Sequence, residues 1–279
     1  CKDGKILINL TDEKGIEIIS DMDINITSGT KVNVQAGEEV KVVAKNEIIG
    51  AEALIRWHHP ERGMIYPDQF IPIIEENGFI KKVDYYIWEE ACRFLARCRE
   101  AGVDFCPVSV NMSRVHLLDD ECIQVLADMI EEYGISKKLL ELEITETADN
   151  QQVSMKALQL KEEGFTLLMD DFGSGYSSLN ILLETPFDVI KLDRKFIENM
   201  TVSNKGRMIL EQVVSMADKL ELGLLAEGVE TKEQTELLQS IGCDQVQGYY
   251  YAKPMPAEDF FELLLKQKNA GGISKGGSI

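Results

Sequence analysis

Oxygen-bearing side chains recur at the ends of apolar runs in this chain. Glu52 follows "IIGA", Asn111 follows "PVSV", Glu143 sits within "LLELEITET", and Asp170 with Asp171 ends "FTLLM". Lys191, with Asp193 two residues on, follows "FDVI", Glu227 follows "LLA", and Gln247 follows "CDQV". Taken singly, an acidic residue after a strand is a helix cap or a solvated loop residue. Taken together, seven successive strand ends carry oxygen donors and one ammonium, with neither Cys nor His among them. That is the donor set that selects Mg2+ or Mn2+. Carboxylates converging without a cation would raise one another's pKa, and two divalent ions about 3.5–4 Å apart form a clamp for in-line attack on a phosphodiester. In such a site Asp170 could bridge two ions while Asp171 binds one. Lys191 could orient the attacking water and offset charge at phosphorus. Arg56, four residues after Glu52, has the fork geometry for a phosphate oxygen.

These residues need a scaffold that gathers strand ends. From Ile48 onward strand-like runs alternate with amphipathic helical patterns, as in "IIGAEALI" then "YYIWEEACRFLARCREA", or "PVSVNMS" then "DECIQVLADMIEEYG". Such alternation implies a parallel sheet with right-handed crossovers. About seven strands in this arrangement suit a TIM-type (β/α)8-like barrel, where chemistry sits at the C-terminal strand ends. The fold class expected is therefore α/β, preceded by a short repetitive all-β segment.

That first segment has a different grammar. Ile8, Ile16, Ile24, Val32, Val40 and Ile48 share one phase of an eight-residue period, and Leu10, Ile18, Ile26, Val34 and Val42 fall two residues later. Apolar-polar-apolar triplets separated by turn formers predict half-buried strands stacked as a β-solenoid or strung as a meander. The repeat resembles the β-helical stalks of phage-tail and contractile-injection spike proteins. The expected division is a β repeat over 1–47, whose last unit serves as a surrogate first barrel strand with Lys45–Asn46 at the turn. A catalytic unit over 48–269 and a disordered Gly- and Ser-rich tail over 270–279 follow.

Composition narrows the partners. The formal net charge of −19 leaves no broad basic face for a nucleic-acid duplex, and no apolar run approaches a membrane span. No signal peptide is visible, and the start at Cys1 without Met fits a fragment or processed chain. The six cysteines form no CxxC pair, so they are expected to be small buried hydrophobes in a reducing cytoplasm. His58 and His59 are adjacent and make a poor chelating pair, which argues against zinc.

"DDFGSGYSSL" begins at the proposed ligands Asp170 and Asp171, and its glycines, Gly173 and Gly175, allow backbone angles closed to other residues. With this stretch a family match is complete. From about Ile48 to Leu265 the chain resembles the EAL family of bacterial cyclic di-GMP phosphodiesterases. "EALIRW", "NMS", "ELEITET", "DDFGSGYSSL", "KLDRKFI", "AEGVET" and "QGYYYAKPMP" follow in the family's order. Met112 within "NMS" and Ser174 within the glycine loop are mild departures.

The resemblance implies hydrolysis of one phosphodiester of cyclic di-GMP to linear pGpG, with two Mg2+ or Mn2+ ions. Glu52, Asn111, Glu143 and Asp170 would hold one ion, and Asp170 and Asp171 would share the second. Lys191 and Glu227 would position or activate the water, Gln247 would stand beside them, and Arg56 and Asp193 would contact substrate. Glu146, Phe172, Gly173, Ser174 and Gly175 would organise a loop that the family links to homodimerisation. One departure is large: the Tyr-Gln-Pro strand that opens an EAL domain is replaced by the repeat. Two competing readings follow from it, a cyclic di-GMP receptor with impaired catalysis and a trimeric spike carrying the catalytic unit as a passenger. The enzyme is preferred, because a receptor has no need of Asp170, Asp171 and Lys191 together.

Overall fold

Parallel strands that are buried on both faces read as near-continuous apolar runs, and this chain builds seven of them into one curled sheet. The structure, a computed structural model, describes residues 6–11, 15–20, 38–44, 48–103, 106–119, 121–145, 151–173 and 178–269. Two strands, β1 (Ile6–Thr11) and β2 (Gly15–Ser20), pair antiparallel as a small sheet of their own. The repeat units across 21–37, and with them the expectation of a stacked solenoid, lie outside the described residues, as does the expected tail over 270–279.

The main sheet begins with β3 (Glu38–Ala44), antiparallel to β4 (Ile48–Ile55) with Val40 opposite Ala53 and Lys41 opposite Glu52. The expected turn at Lys45–Asn46 lies outside the described residues. A short hairpin of β5 (Trp57–His59) and β6 (Gly63–Ile65) follows. Then come β7 (Val108–Asn111), β8 (Leu140–Thr145), β9 (Thr166–Phe172), β10 (Val189–Leu192), β11 (Gly223–Ala226) and β12 (Gln245–Gln247), each parallel to the one before it in the sheet, with β7 beside β4. β3 also pairs antiparallel with β12, placing Ala44 opposite Val246 and Val43 opposite Gln247. One antiparallel strand therefore joins the first parallel strand to the last, and no parallel strand is left as an open edge. The N-terminal part of β3 is covered by β13 (Met255–Pro256).

Strand side chains alternate between faces, and β8 shows what that does here. Leu140, Leu142 and Ile144 are buried on one face, while Glu143 on the opposite face is equally buried. Helices cover the outer face. The helix Ile80–Glu100 buries Ile87, Trp88, Ala91, Cys92 and Leu95 at the three-and-four spacing of an amphipathic stripe. Local signals set helix limits: Thr231 and Gln234 form a capping box at Lys232–Ser240, and Gly134, with φ 61°, closes Cys122–Tyr133 in the left-handed conformation. The result is a TIM-like α/β fold whose strand ends share one rim.

Candidate active site

Lys191 is the centre of that rim. It is 1% exposed, and its Nζ lies 2.7 Å from Glu143 Oε1, 2.7 Å from Glu227 Oε1, 3.0 Å from Asp170 Oδ1 and 3.8 Å from Glu52 Oε2. Four strands and one strand-following residue meet there: Glu52 lies in β4, Glu143 in β8, Asp170 in β9 and Lys191 in β10, and Glu227 follows β11 directly. Gln247, at the end of β12, donates from Nε2 to Glu52 Oε2 at 2.7 Å. Burying so much charge is tolerable only when it is paired and hydrogen-bonded.

The electrostatics follow from that crowding. Burial alone would lower the Lys191 ammonium, but Glu143, Glu52, Glu227 and Asp170 hold it well above the ordinary lysine range. Burial pushes the Glu143 carboxyl well above the ordinary carboxylate range; Lys191 opposes this, while Glu52, Asp170 and Glu227 add to it. One ammonium thus serves four carboxylates. Glu143 Oε2 and Gln247 Oε1 are buried with no hydrogen-bond partner among the described residues.

Those orphaned oxygens, in a set without thiol or imidazole, fit a hard divalent cation. The pose differs from a ligand cage: among the described residues no group of three or more His, Cys, Asp or Glu side chains is set to hold an ion. The carboxylates instead turn onto Lys191, the nearest positive charge. The donor chemistry fits the metal, and the carboxylates of Glu52, Glu143, Asp170 and Glu227 gather around the Lys191 ammonium.

Other predicted residues are placed differently. Asn111 ends β7 with an exposed side chain, and its carbonyl accepts a 3.0 Å hydrogen bond from Trp88 Nε1. Asp171 is exposed and adopts φ 58°, so the backbone turns sharply between it and the partly buried Asp170. Phe172 is buried edge-on against Phe196. Gly173 has φ 92° and sits so close to the Phe196 ring that any Cβ would collide with it. Arg56 is 7% exposed, with Nη1 donating to the Ile55 carbonyl at 2.8 Å and the guanidinium 5.8 Å from the Tyr66 ring. Asp193 is the N-cap of the helix Arg194–Thr201, its Oδ1 accepting from the Lys195 and Phe196 amides at 3.0 and 3.3 Å. Glu146, Ser174 and Gly175 lie outside the described residues.

Sequence reading passed over two neighbours of this rim. A cavity of about 180 Å³ opens beside Glu227 and Gln247, lined also by Arg194, Glu230 and Tyr249. Behind Asn111 stand Asp84, Trp88 and His116, buried on or against one helix. Both are assembled by tertiary contact, and "QGYYYAKP" was the one stretch pointing toward the first. The cysteines behave as expected: the described ones are free and buried, and burial pushes Cys92, Cys98 and Cys243 up to about 12.

Comparison with known proteins agrees with this geometry. The EAL domain family model matches residues 40–254, beginning within β3. The oxygen sensor protein DosP of Escherichia coli is 38% identical over 216 residues, 76% of this chain and 27% of its own length. Cyclic di-GMP phosphodiesterase NbdA of Pseudomonas aeruginosa is 38% identical over 221 residues, 78% of this chain and 28% of its own. The chain thus spans less than a third of these relatives. A solved structure, the PaMucR phosphodiesterase in complex with c-di-GMP, superposes with a TM-score of 0.75 at 33% identity, covering 81% of this chain and 93% of that one.

Proposed function

The chain belongs to the EAL domain family, and from that premise we propose that it hydrolyses one phosphodiester bond of cyclic di-GMP to linear pGpG in bacterial second-messenger signalling. The observation that carries the reading is the Lys191 cluster, in which Glu52, Glu143, Asp170 and Glu227 converge on one buried ammonium. An anionic transition state needs positive charge beside it, which the Lys191 ammonium and divalent cations held by these carboxylates would supply.

Glu52, Asn111, Glu143, Asp170 and Asp171 are the residues that would hold two Mg2+ or Mn2+ ions. Bound there, the ions would supply an activated water and charge neutralisation at phosphorus. Lys191 Nζ holds the attacking water in line with the scissile bond, and Glu227, whose Oε1 is 2.7 Å from that Nζ, takes the proton the water gives up. The water oxygen bonds to phosphorus, the bond from phosphorus to the ribose 3′ oxygen breaks with its electron pair leaving on that oxygen, and the proton taken by Glu227 passes through solvent to complete the new hydroxyl. Gln247 fixes Glu52 through the 2.7 Å hydrogen bond. Arg56 offers its guanidinium edge to a phosphate oxygen, and Asp193 shapes the rim by starting the helix after β10.

The working unit is a homodimer formed through the EAL domain; Met208 and Ile209 are exposed on the outer face of the helix Asn204–Lys219 beside an apolar cavity of about 500 Å³. The protein works in the cytoplasm, where buried free thiols persist, and among the described residues no helix is long and apolar enough to cross a membrane. β3, the last unit of the expected repeat, serves the catalytic domain as the strand between β12 and β4. Incubating the chain with cyclic di-GMP and Mn2+ should yield pGpG by chromatography, and EDTA should abolish it. Absence of product from folded chain would end the enzymatic reading in favour of a receptor.

A further inference from the structure

The end of β7 is held from behind by a single helix. Asp84 and Trp88 lie four residues apart on Ile80–Glu100, and such a pair shares one face of the helix. Trp88 Nε1 donates to the Asn111 carbonyl at 3.0 Å, and the Ser113 amide donates to Asp84 Oδ2 at 3.3 Å. The residue between them, Met112, is buried and donates its amide to the Glu143 carbonyl at 2.9 Å. Backbone groups of three consecutive residues are thus fixed in turn, two by the helix and one by the neighbouring strand.

The cost of this arrangement argues that it has a purpose. Asp84 is 6% exposed and Trp88 and His116 have no exposed surface. A buried carboxylate must be compensated, and His116 Nε2 stands 3.1 Å from Asp84 Oδ2. The His116 ring packs against Tyr85 and Trp88 with centroids 4.9 and 4.6 Å away. Neither Nε2 nor Nδ1 makes a hydrogen bond among the described residues, so the approach to Asp84 is a close polar contact. An apolar filling would pack the same space without the desolvation penalty, yet it could not accept the Ser113 amide. The helix Arg114–Leu117 that follows has no side-chain cap of its own, so Asp84 is the acceptor that turns the chain after Asn111.

We propose that Asp84, Trp88 and His116 form a positioning unit that aims Asn111 at the metal site, with Asp84 and Trp88 gripping the backbone on either side of Met112 and His116 locking Asp84 in place. The inference rests on the reading of Asn111 as a metal ligand. Partners behind a ligand commonly set affinity by ten- to a hundredfold.

The test is Mn2+ alone titrated calorimetrically into the full chain and its variants, with thermal melting measured beside it. Asn111→Ala should weaken Mn2+ binding, and Asp84→Ala should weaken it by about tenfold. Asp84→Asn, which keeps an acceptor for the Ser113 amide, should recover most of the affinity. Trp88→Phe keeps the bulk and loses only the N–H; it should weaken binding in the same direction, and it serves if Asp84→Ala fails to fold. Folded Asp84→Ala or Trp88→Phe with wild-type Mn2+ affinity, beside a weakened Asn111→Ala, would overturn the positioning unit. Unchanged affinity in Asn111→Ala would instead overturn the ligand reading on which it rests.

Discussion

Gln247 Nε2 and Glu52 Oε2 are 2.7 Å apart, a buried hydrogen bond between residues 195 positions apart in sequence. It joins the end of the last parallel strand to the first, across the two sides of β3. The site and the closure of the sheet are therefore linked: the Gln247–Glu52 bond forms where β12 stands beside β3. Gln247→Ala should lower kcat by about ten- to a hundredfold and raise the Mn2+ concentration needed for half-maximal rate. Steady-state assays across a Mn2+ series check this; an unchanged metal requirement would mean Glu52 is positioned by other contacts.

Glu52→Ala and Asp170→Ala should each drop turnover below about one-hundredth of wild type, since each removes a charge on which both metal binding and the Lys191 cluster depend. Product chromatography under saturating Mn2+ decides the matter. Either variant running at the wild-type rate would remove that residue from the ligand set.

Lys191→Met tests the counter-charge. The ammonium sits within 3.0 Å of carboxylate oxygens from Glu143, Glu227 and Asp170, and removing one partner of a buried ionic cluster costs about 3–5 kcal/mol. The metal-free variant should melt well below wild type and regain part of the loss on adding Mn2+, which replaces the missing positive charge. Equal melting temperatures without metal would show that the carboxylates are neutralised by protonation alone.

The buried thiols predict alkaline behaviour with a definite sign. Burial raises Cys92, Cys98 and Cys243 from the ordinary 9.0 to about 12, so the folded chain keeps these thiols protonated longer than the unfolded chain does. Their contribution is fully present below pH 9.0 and is lost as pH rises from there toward about 12. Denaturant midpoints should fall across that range, and thiol reagents should leave these three cysteines untouched until the chain unfolds. Rapid native-state labelling of Cys92 would contradict the packing.

What was legible in the sequence was one-dimensional. Apolar runs alternating with helical patterns put Glu52, Glu143, Asp170, Lys191 and Gln247 at expected strand ends, and a parallel sheet must bring such ends to one rim. Their roles relative to each other were not legible, because distance is set by register. Lys191, expected to orient water, proves also to be the hub on which four carboxylates gather. Asp193, expected as a substrate contact, also caps the helix that follows, its Oδ1 accepting from two orphan amides. The grip of Asp84 and Trp88 on the end of β7 left no local trace, since "KKVDYYIWEEA" reads as any amphipathic helix. β3 was the hardest element: its repeat pattern matches the upstream units, and only pairing on both sides distinguishes it.

The most direct test is to run the reaction in water enriched in the heavy oxygen isotope, with Mn2+, while measuring cyclic di-GMP affinity on the same preparation. The account predicts linear pGpG carrying one heavy oxygen on its terminal phosphate, formed only with metal and lost in Glu52→Ala. Tight cyclic di-GMP binding without any labelled product, from folded and Mn2+-loaded chain, would contradict it and make this EAL domain a receptor.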